Sequence, residues 1–311
     1  MDIGISAIEH VLGSEAVSVD ELAARGLLDS PPSVLREFGF VCARISREPS
    51  HVLAIAAARK LLETSRIDPA SVDAIFYAGA TSESHAIETS NPVSDFSYPV
   101  SQLQYELELE RATVLGLAQV GCLGMIASVA LARDFLFSHE SANRALCVST
   151  DVLPPACKRE LIYNVISDGA CAVLVEKGIP RNRMLAYRRI TKGYYWDSVE
   201  RKNEIASAYF PTARTIIRDT LADANLAPSD ISHILPHNVS MRSWEILLGL
   251  LQISCEKLFA QNISRIGHVI AADNWINLKD AMDGGALRAG DKLLMFTFGF
   301  GGNWASMVLE H

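Results

Sequence analysis

The chain has 311 residues, 49% hydrophobic and 21% charged, enough apolar material for a large core in one two-lobed unit or in two closely apposed domains. Its formal net charge of −8 excludes a general nucleic-acid binder, because neutralising phosphates takes clustered Lys and Arg. One local basic cluster, Arg36, Arg44 and Arg47, suits a small anionic cofactor or simply a solvated face.

The N-terminal MDIGISAIEH has no basic start followed by an apolar run, so it does not read as a signal peptide. Residues 51–64 repeat apolar positions at helical spacing, and 73–80 (DAIFYAGA) follow as a buried strand. The polar segment TSESHAIETSNPVSD has no period. A helix is predicted near 97–108, a short strand at 113–118, and after Gly121 a long helix over about 122–137. This most apolar stretch is interrupted by Arg133 and Asp134 and reads as too short to span a bilayer. A soluble, cytoplasmic protein is expected. Residues 145–150 and 170–175 are strand-like. GIPRNR, within 178–190, reads as a connector. Beyond it come a helix at 212–225, a strand at 231–235, a helix at 241–252, a short strand near 261–266, a helix at 273–283 and strands at 292–298 and 303–309. Helices between buried strands imply an α/β arrangement with sheets covered on both faces.

The two halves echo each other. RIDPASVDAIF (66–76) matches NLAPSDISHIL (225–235), RALCVST matches DKLLMFT, and GACAVLVE matches NWASMVLE. A duplicated α/β half is expected, with one copy over residues 1–180 and the other over 181–311.

Six cysteines are scattered, with none of the CxxC pairing of a metal site, and neither a metal nor a disulfide framework is expected. Cys122 stands out, in AQVGCLGMIASVALA, between a short strand and a long helix. At that point the helix's free N–H groups and the positive end of its dipole favour the thiolate. Gly121 and Gly124 allow a sharp turn and close approach of a substrate. A buried structural cysteine is the plain alternative, and the strand–Gly–Cys–helix context favours a nucleophile.

With these residues in place, the chain resembles a ketoacyl-ACP synthase III of the thiolase superfamily over nearly its whole length. The matching pieces are ATSESHAIE, QVGCLGMIASVALA, ALCVSTDVL, SDGACAVLV, LPHNVSMRSWEIL and RIGHVIAADNWINLKDAMDGGALRAGDKLLMFTFGFGGNW. The resemblance implies a thiolase-like five-layer αβαβα fold, a homodimer, and acyl groups taken from CoA or acyl carrier protein, with no permanently bound cofactor. It places the family's nucleophile on Cys122 and its catalytic histidine on His237, the residue expected to activate the thiol. The backbone N–H groups of Cys122 and Phe300, the latter in the turn Gly299–Gly302, are implied as the oxyanion hole.

The pattern breaks at two places. Where the family has Gly–Asn, this chain has Gly267–His268. His268 has an N–H able to donate in place of the amide, while Asp273 either orients His237 in a Cys–His–Asp arrangement or merely caps the following helix. Asn274 is a weaker candidate for the same duties. In the cofactor-binding stretch, SVLREFGFVCAR lacks the family's Trp and carries Arg36 one position out of register. That favours a carrier-protein donor over acyl-CoA.

The leading expectation is an acyltransferase of specialised metabolism that loads Cys122 and passes the acyl group to a hydroxyl or amine acceptor. A decarboxylative condensing enzyme using a malonyl thioester is the alternative, and an inactive partner subunit of a heterodimer a third. Parts of 82–98 and 191–210, the latter with Tyr194, Tyr195 and Trp196, are expected to line the substrate pocket.

Overall fold

A computed structural model of the chain describes residues 2–80 and 98–311. The TSESHAIE motif and the pocket-lining expectation up to residue 97 lie outside the described residues. The first run of elements is β1 (Ile3–Leu12), β2 (Glu15–Ser18), α1 (Val19–Ala24), α2 (Pro32–Glu37), β3 (Cys42–Ile45), α3 (Ser50–Ser65), β4 (Ala74–Ala78), α4 (Pro99–Glu106), β5 (Thr113–Leu117), α5 (Gly124–Ser138), β6 (Arg144–Asp151), β7 (Glu160–Leu161), β8 (Asn164–Val165) and β9 (Gly169–Lys177). The second is β10 (Arg183–Thr191), α6 (Lys202–Asp223), β11 (His233–Leu235), α7 (Met241–Leu251), α8 (Gln261–Ile266), α9 (Asp273–Asp283), β12 (Lys292–Gly299) and β13 (Asn303–Glu310).

The first run forms a sheet of order β1-β9-β6-β4-β5, the second a sheet of order β10-β13-β12-β11. Each has parallel strands toward one side, β4 with β5 and β6, and β11 with β12. Each finishes in antiparallel pairs, β6–β9–β1 and β12–β13–β10. The counterpart of β5 in the second sheet is a single parallel bridge from Ile234 to Leu258.

Strand alternation builds five layers. On β4, Phe76 enters the central core while Ile75 and Tyr77 join the outer cluster of α3 and α4. On β12, Leu293 and Met295 face the centre while Leu294 and Phe296 face the outer cluster of α6 and α7. The central core holds α5 and α9 between the two sheets. Every strand buried on both faces thus contributes to two cores, which is why these segments read as continuous apolar runs.

The sequence repeat has a structural basis. In each half a residue one or two positions past the long helix is left-handed, Arg66 at φ 54° and Asn225 at φ 55°. A single 3-10 turn, Pro69–Ser71 or Pro228–Asp230, then leads into β4 or β11.

Several expectations need correction. Residues 261–266 form α8, not a strand. Its β-branched Ile263 and Ile266 suggest a strand, but they are buried one turn apart on a helix face. Helix α6 starts ten residues before the expected position and carries Pro211 inside it. The first strands of both halves, β1 and β10, fall outside the expected elements; GIPRNR (178–183) runs between β9 and β10 and overlaps β10 only at Arg183. The run Gly121–Ser138 is long and apolar enough to cross a membrane by length and composition, contrary to the expectation from 122–137. It lies mostly buried between the sheets instead.

An arginine–aspartate ion pair is fully enclosed. Arg159 Nη1 donates to Asp168 Oδ1 at 2.5 Å with side-chain exposures of 1% and 0%. The same carboxylate accepts from the backbone N–H groups of Ser46 and Leu153. Removing the cation leaves a buried charge without its counter-ion. Arg159→Ala is therefore expected to destabilise the fold by about 3–5 kcal/mol, measured as a lowered denaturant midpoint; an unchanged midpoint would contradict the pairing.

Candidate active site

Cys122 lies in a 3-10 turn, Gly121–Leu123, that leads directly into α5. The chain enters it through left-handed Gln119 and Gly121. A Cβ at Gly121 would come within 3.1 Å of Phe300 N, and one at Gly299 within 3.0 Å of Cys122 N. Glycine at both positions lets the nucleophile turn press against the end of β12. The backbone nitrogens of Cys122 and Phe300, expected as an oxyanion hole, thereby lie at the same junction.

His237 follows β11, with its carbonyl accepting from Trp244 Nε1 at 2.8 Å. His268 follows left-handed Gly267, where a Cβ would come within 2.8 Å of Val165 O. The His268 backbone is held on both sides: its N–H donates to Val165 O, and its carbonyl accepts from Ser167 N, each at 2.8 Å. A strand segment of the first half thus positions a catalytic candidate of the second.

Asp273 opens α9 and does not cap it: the N-cap is Ala272, without a side-chain cap. Its Oδ1 accepts from Val269 N at 2.6 Å. Its Oδ2 accepts from Asn238 N at 2.7 Å and meets His268 Nδ1 at 2.7 Å. His237 Nε2 is 3.8 Å from the same oxygen, beyond hydrogen-bond length. The carboxylate orients His268; neither role expected for Asp273, orienting His237 or capping α9, holds.

The other ring nitrogen of His268, Nε2, lies 3.9 Å from Cys122 Sγ. The expected activation of the thiol by His237 is therefore corrected: the imidazole hydrogen-bonded to the sulfur is His268. The two rings pack edge to face, with centroids 4.6 Å apart. Both nitrogens of His237 are buried without a hydrogen-bond partner among the described residues. Cys122, His237, His268 and Asp273 are all less than 10% exposed.

Asn274 is engaged elsewhere, donating to Leu235 O and accepting from Thr297 Oγ1. Asn277 donates to Pro236 O and Asn238 Oδ1, and Asn238 donates to Gly267 O. These asparagines clamp the loops of both histidines to the first turns of α9. Asn238 and Asn277 were not singled out from the sequence; a cluster of polar residues on the apolar face of a helix was the available signal. Elsewhere, Arg36 pairs with Asp20, and Arg44 donates to the carbonyls of Gly13 and Ser14, which ties up two of the three cationic groups proposed for an anion. Tyr195 packs on Trp304, while Tyr194 and Trp196 are exposed.

The environments of the two histidines diverge. Burial alone would lower His268, but the Asp273 charge and hydrogen bond, with the Cys122 sulfur beside it, outweigh burial and raise it to about 10. Burial drives His237 well below its ordinary value, reinforced by the His268 charge; the Ile270 backbone opposes the drop from outside hydrogen-bond geometry. Ile270 itself is left-handed at φ 50°, a strained conformation for a β-branched residue.

The chain's residues 221–311 match the family model described as the C-terminal part of 3-oxoacyl-[acyl-carrier-protein] synthase III. A β-ketoacyl-[acyl-carrier-protein] synthase III of Aquifex aeolicus is 25% identical over 280 residues, covering 86% of each chain. Among solved structures, the 3-oxoacyl-[acyl-carrier-protein] synthase III of the same organism superposes with a TM-score of 0.85 at 22% identity, over 99% of this chain and 100% of that one. An acyltransferase, ChlB3, superposes with a TM-score of 0.87 at 21% identity, over 100% and 98%. The likeness to these structures carries the thiolase-like fold.

The histidine shifts have opposite consequences for stability. His268 binds its proton more tightly folded than unfolded, so its contribution is complete below pH 6.5 and is lost as pH rises toward 10. His237 takes a proton more readily when unfolded, so its effect is a loss of stability as pH falls below 6.5. Asp273→Asn is expected to flatten the alkaline loss between pH 6.5 and 10, measured as urea midpoints against pH. Parallel profiles for the two proteins would refute the assignment of that slope to His268.

Proposed function

We propose that this chain, which belongs to the ketoacyl-ACP synthase III family, is an acyltransferase that moves an acyl group from a carrier-protein or CoA thioester through Cys122 to a hydroxyl or amine acceptor. The observation that carries this reading is the line of contacts from Asp273 through His268 to Cys122. Carboxylate, imidazole and nucleophile in that order let the ring take and return the nucleophile's proton while the carboxylate orients it and stabilises its charged form.

In the first half-reaction the thiol proton passes to His268 Nε2, and the sulfur attacks the donor's carbonyl carbon. The tetrahedral oxyanion faces the Cys122 and Phe300 N–H groups. Collapse breaks the donor's C–S bond, and the departing thiol takes the proton from His268. The enzyme is left with a Cys122 thioester and a neutral His268. In the second half, the acceptor O–H or N–H gives its proton to His268, whose basicity Asp273 strengthens. The acceptor's lone pair attacks the thioester, and collapse returns the sulfur to Cys122. His237, held neutral by burial, suits donation to the carbonyl or acceptor oxygen better than proton abstraction.

A second reading rests on His237. Its unpartnered ring, beside the His268 N–H, would suit two donors to an enolate oxygen formed from a malonyl thioester. Against it stands the buried Asp273 carboxylate, because an enolate would add a second negative charge nearby. A homodimer is part of the proposal: β5 is the outer strand of its sheet and is largely exposed, Leu115 included, an open edge suited to a second copy.

Intact-mass measurement after incubation with acyl-carrier or acyl-CoA donors is expected to find one acyl group on the wild type and none on Cys122→Ala. Absence of any wild-type adduct would favour the inactive-subunit alternative. Asp273→Asn is expected to slow transfer by about 10²- to 10⁴-fold. With malonyl thioester the wild type is expected to release no CO2; release coupled to a new carbon–carbon bond would replace acyl transfer by condensation.

A further inference from the structure

The site has a second chemical capacity that acyl transfer does not use. One ligating atom each from Cys122, His237 and His268 lies within 4.8 Å of the others. A soft sulfur and two imidazole nitrogens are the donor set that borderline divalent ions prefer. Tetrahedral zinc, with its usual bond lengths, holds sulfur and nitrogen ligands about 3.3–3.6 Å apart. The 3.9 Å separation of Cys122 Sγ from His268 Nε2 is within a few tenths of an ångström of that spacing. Rotation of unpartnered His237 supplies the remaining adjustment.

Three further features fit an ion. Asp273 already grips the far nitrogen of His268 at 2.7 Å, the carboxylate–imidazole pairing that orients metal-bound histidines. Both nitrogens of His237 are buried and free of hydrogen bonds among the described residues, so coordination sacrifices no existing bond there. The ligand-bearing turns are clamped by the Asn238–Asn277 network, which preorganises the set.

We propose that Cys122, His237 and His268 form a binding site for Zn2+ or a related divalent cation, and that occupancy reversibly blocks the nucleophile. Three protein ligands leave a fourth position for water or a small ligand. On binding, the thiol proton, and any proton on His268 Nε2, leave for solvent, so uptake releases acid and strengthens with rising pH. A Cys122 thioester has no anionic sulfur to offer. Acylation and metal binding therefore exclude each other, and an acyl-loaded enzyme resists the ion. The metal site stands independently of which acceptor the enzyme serves.

The test uses the full-length protein freed of metal by chelation and titrated with Zn2+, and with Co2+ as a spectroscopic stand-in. One ion per chain is expected, with a sulfur-to-cobalt charge-transfer band and tetrahedral d–d absorption. Zn2+ is expected to protect Cys122 from iodoacetamide, with reactivity restored by EDTA. Wild-type protein already alkylated at Cys122, which is folded beforehand, is expected to lose the cobalt band and the tight ion. Asp273→Asn is expected to bind about 10- to 100-fold more weakly. No saturable binding by about 1 mM, or one tight ion that survives alkylation with its spectrum unchanged, would overturn the proposal. A failure of acyl loading alongside intact cobalt binding would count against the acyl-transfer reading and leave this one standing.

Discussion

A single buried carboxylate organises the heart of this protein. Asp273 gathers the Val269 and Asn238 backbone N–H groups and the His268 ring onto two oxygens. Those three partners belong to the two loops that carry the imidazoles. Without the carboxylate, two buried backbone donors would lose their acceptor, and each orphan is costly away from water. Catalytic orientation and local folding thus share one group. The arrangement also separates the two histidines: the one that touches the carboxylate is made a strong proton acceptor, and its neighbour is kept neutral. Two chemically identical side chains, 4.6 Å apart between ring centroids, acquire different roles from their surroundings.

Around that centre the duplicated architecture does the positioning. The Cys122 turn and the Ile270–Ala272 turn both precede a helix packed between the two sheets, α5 in one half and α9 in the other. Backbone from the first half, Val165 to Ser167, pins His268 of the second. The site is therefore a product of the interface between halves, and the apolar faces of both sheets hold it in register. Arg159 and Asp168 stiffen the same stretch from the other side, since the residue before Asp168 is the one that bonds the His268 carbonyl.

Much of this was legible because the relevant signals are local. Cys122 sits between a strand and a helix with Gly121 at the bend, and the repeat around Pro69 and Pro228 follows from turn chemistry that each half needs at the same place. Strands β1 and β10 escaped notice for a common reason: both are outer strands of their sheets, and β10 carries Arg183, Arg188 and Arg189, which weaken any apolar alternation. The start of α6 was hidden by Pro211, ordinarily a helix boundary but here tolerated in the interior. The partner of Asp273 was not legible at all. Whether an aspartate five residues after one histidine serves that ring or another depends on the 3-10 turn at Ile270–Ala272, and no spacing rule encodes such a turn.

The paired helix beginnings have an electrostatic consequence. Both α5 and α9 direct the positive ends of their peptide dipoles toward the cluster of Cys122, His268 and Asp273, in which no Lys or Arg takes part among the described residues. Fixed dipoles of this kind need no counter-ion and are scarcely screened by dissolved salt when buried. Negative charge beside either helix start is therefore favoured, and the Asp273 carboxylate already lies at one of the two.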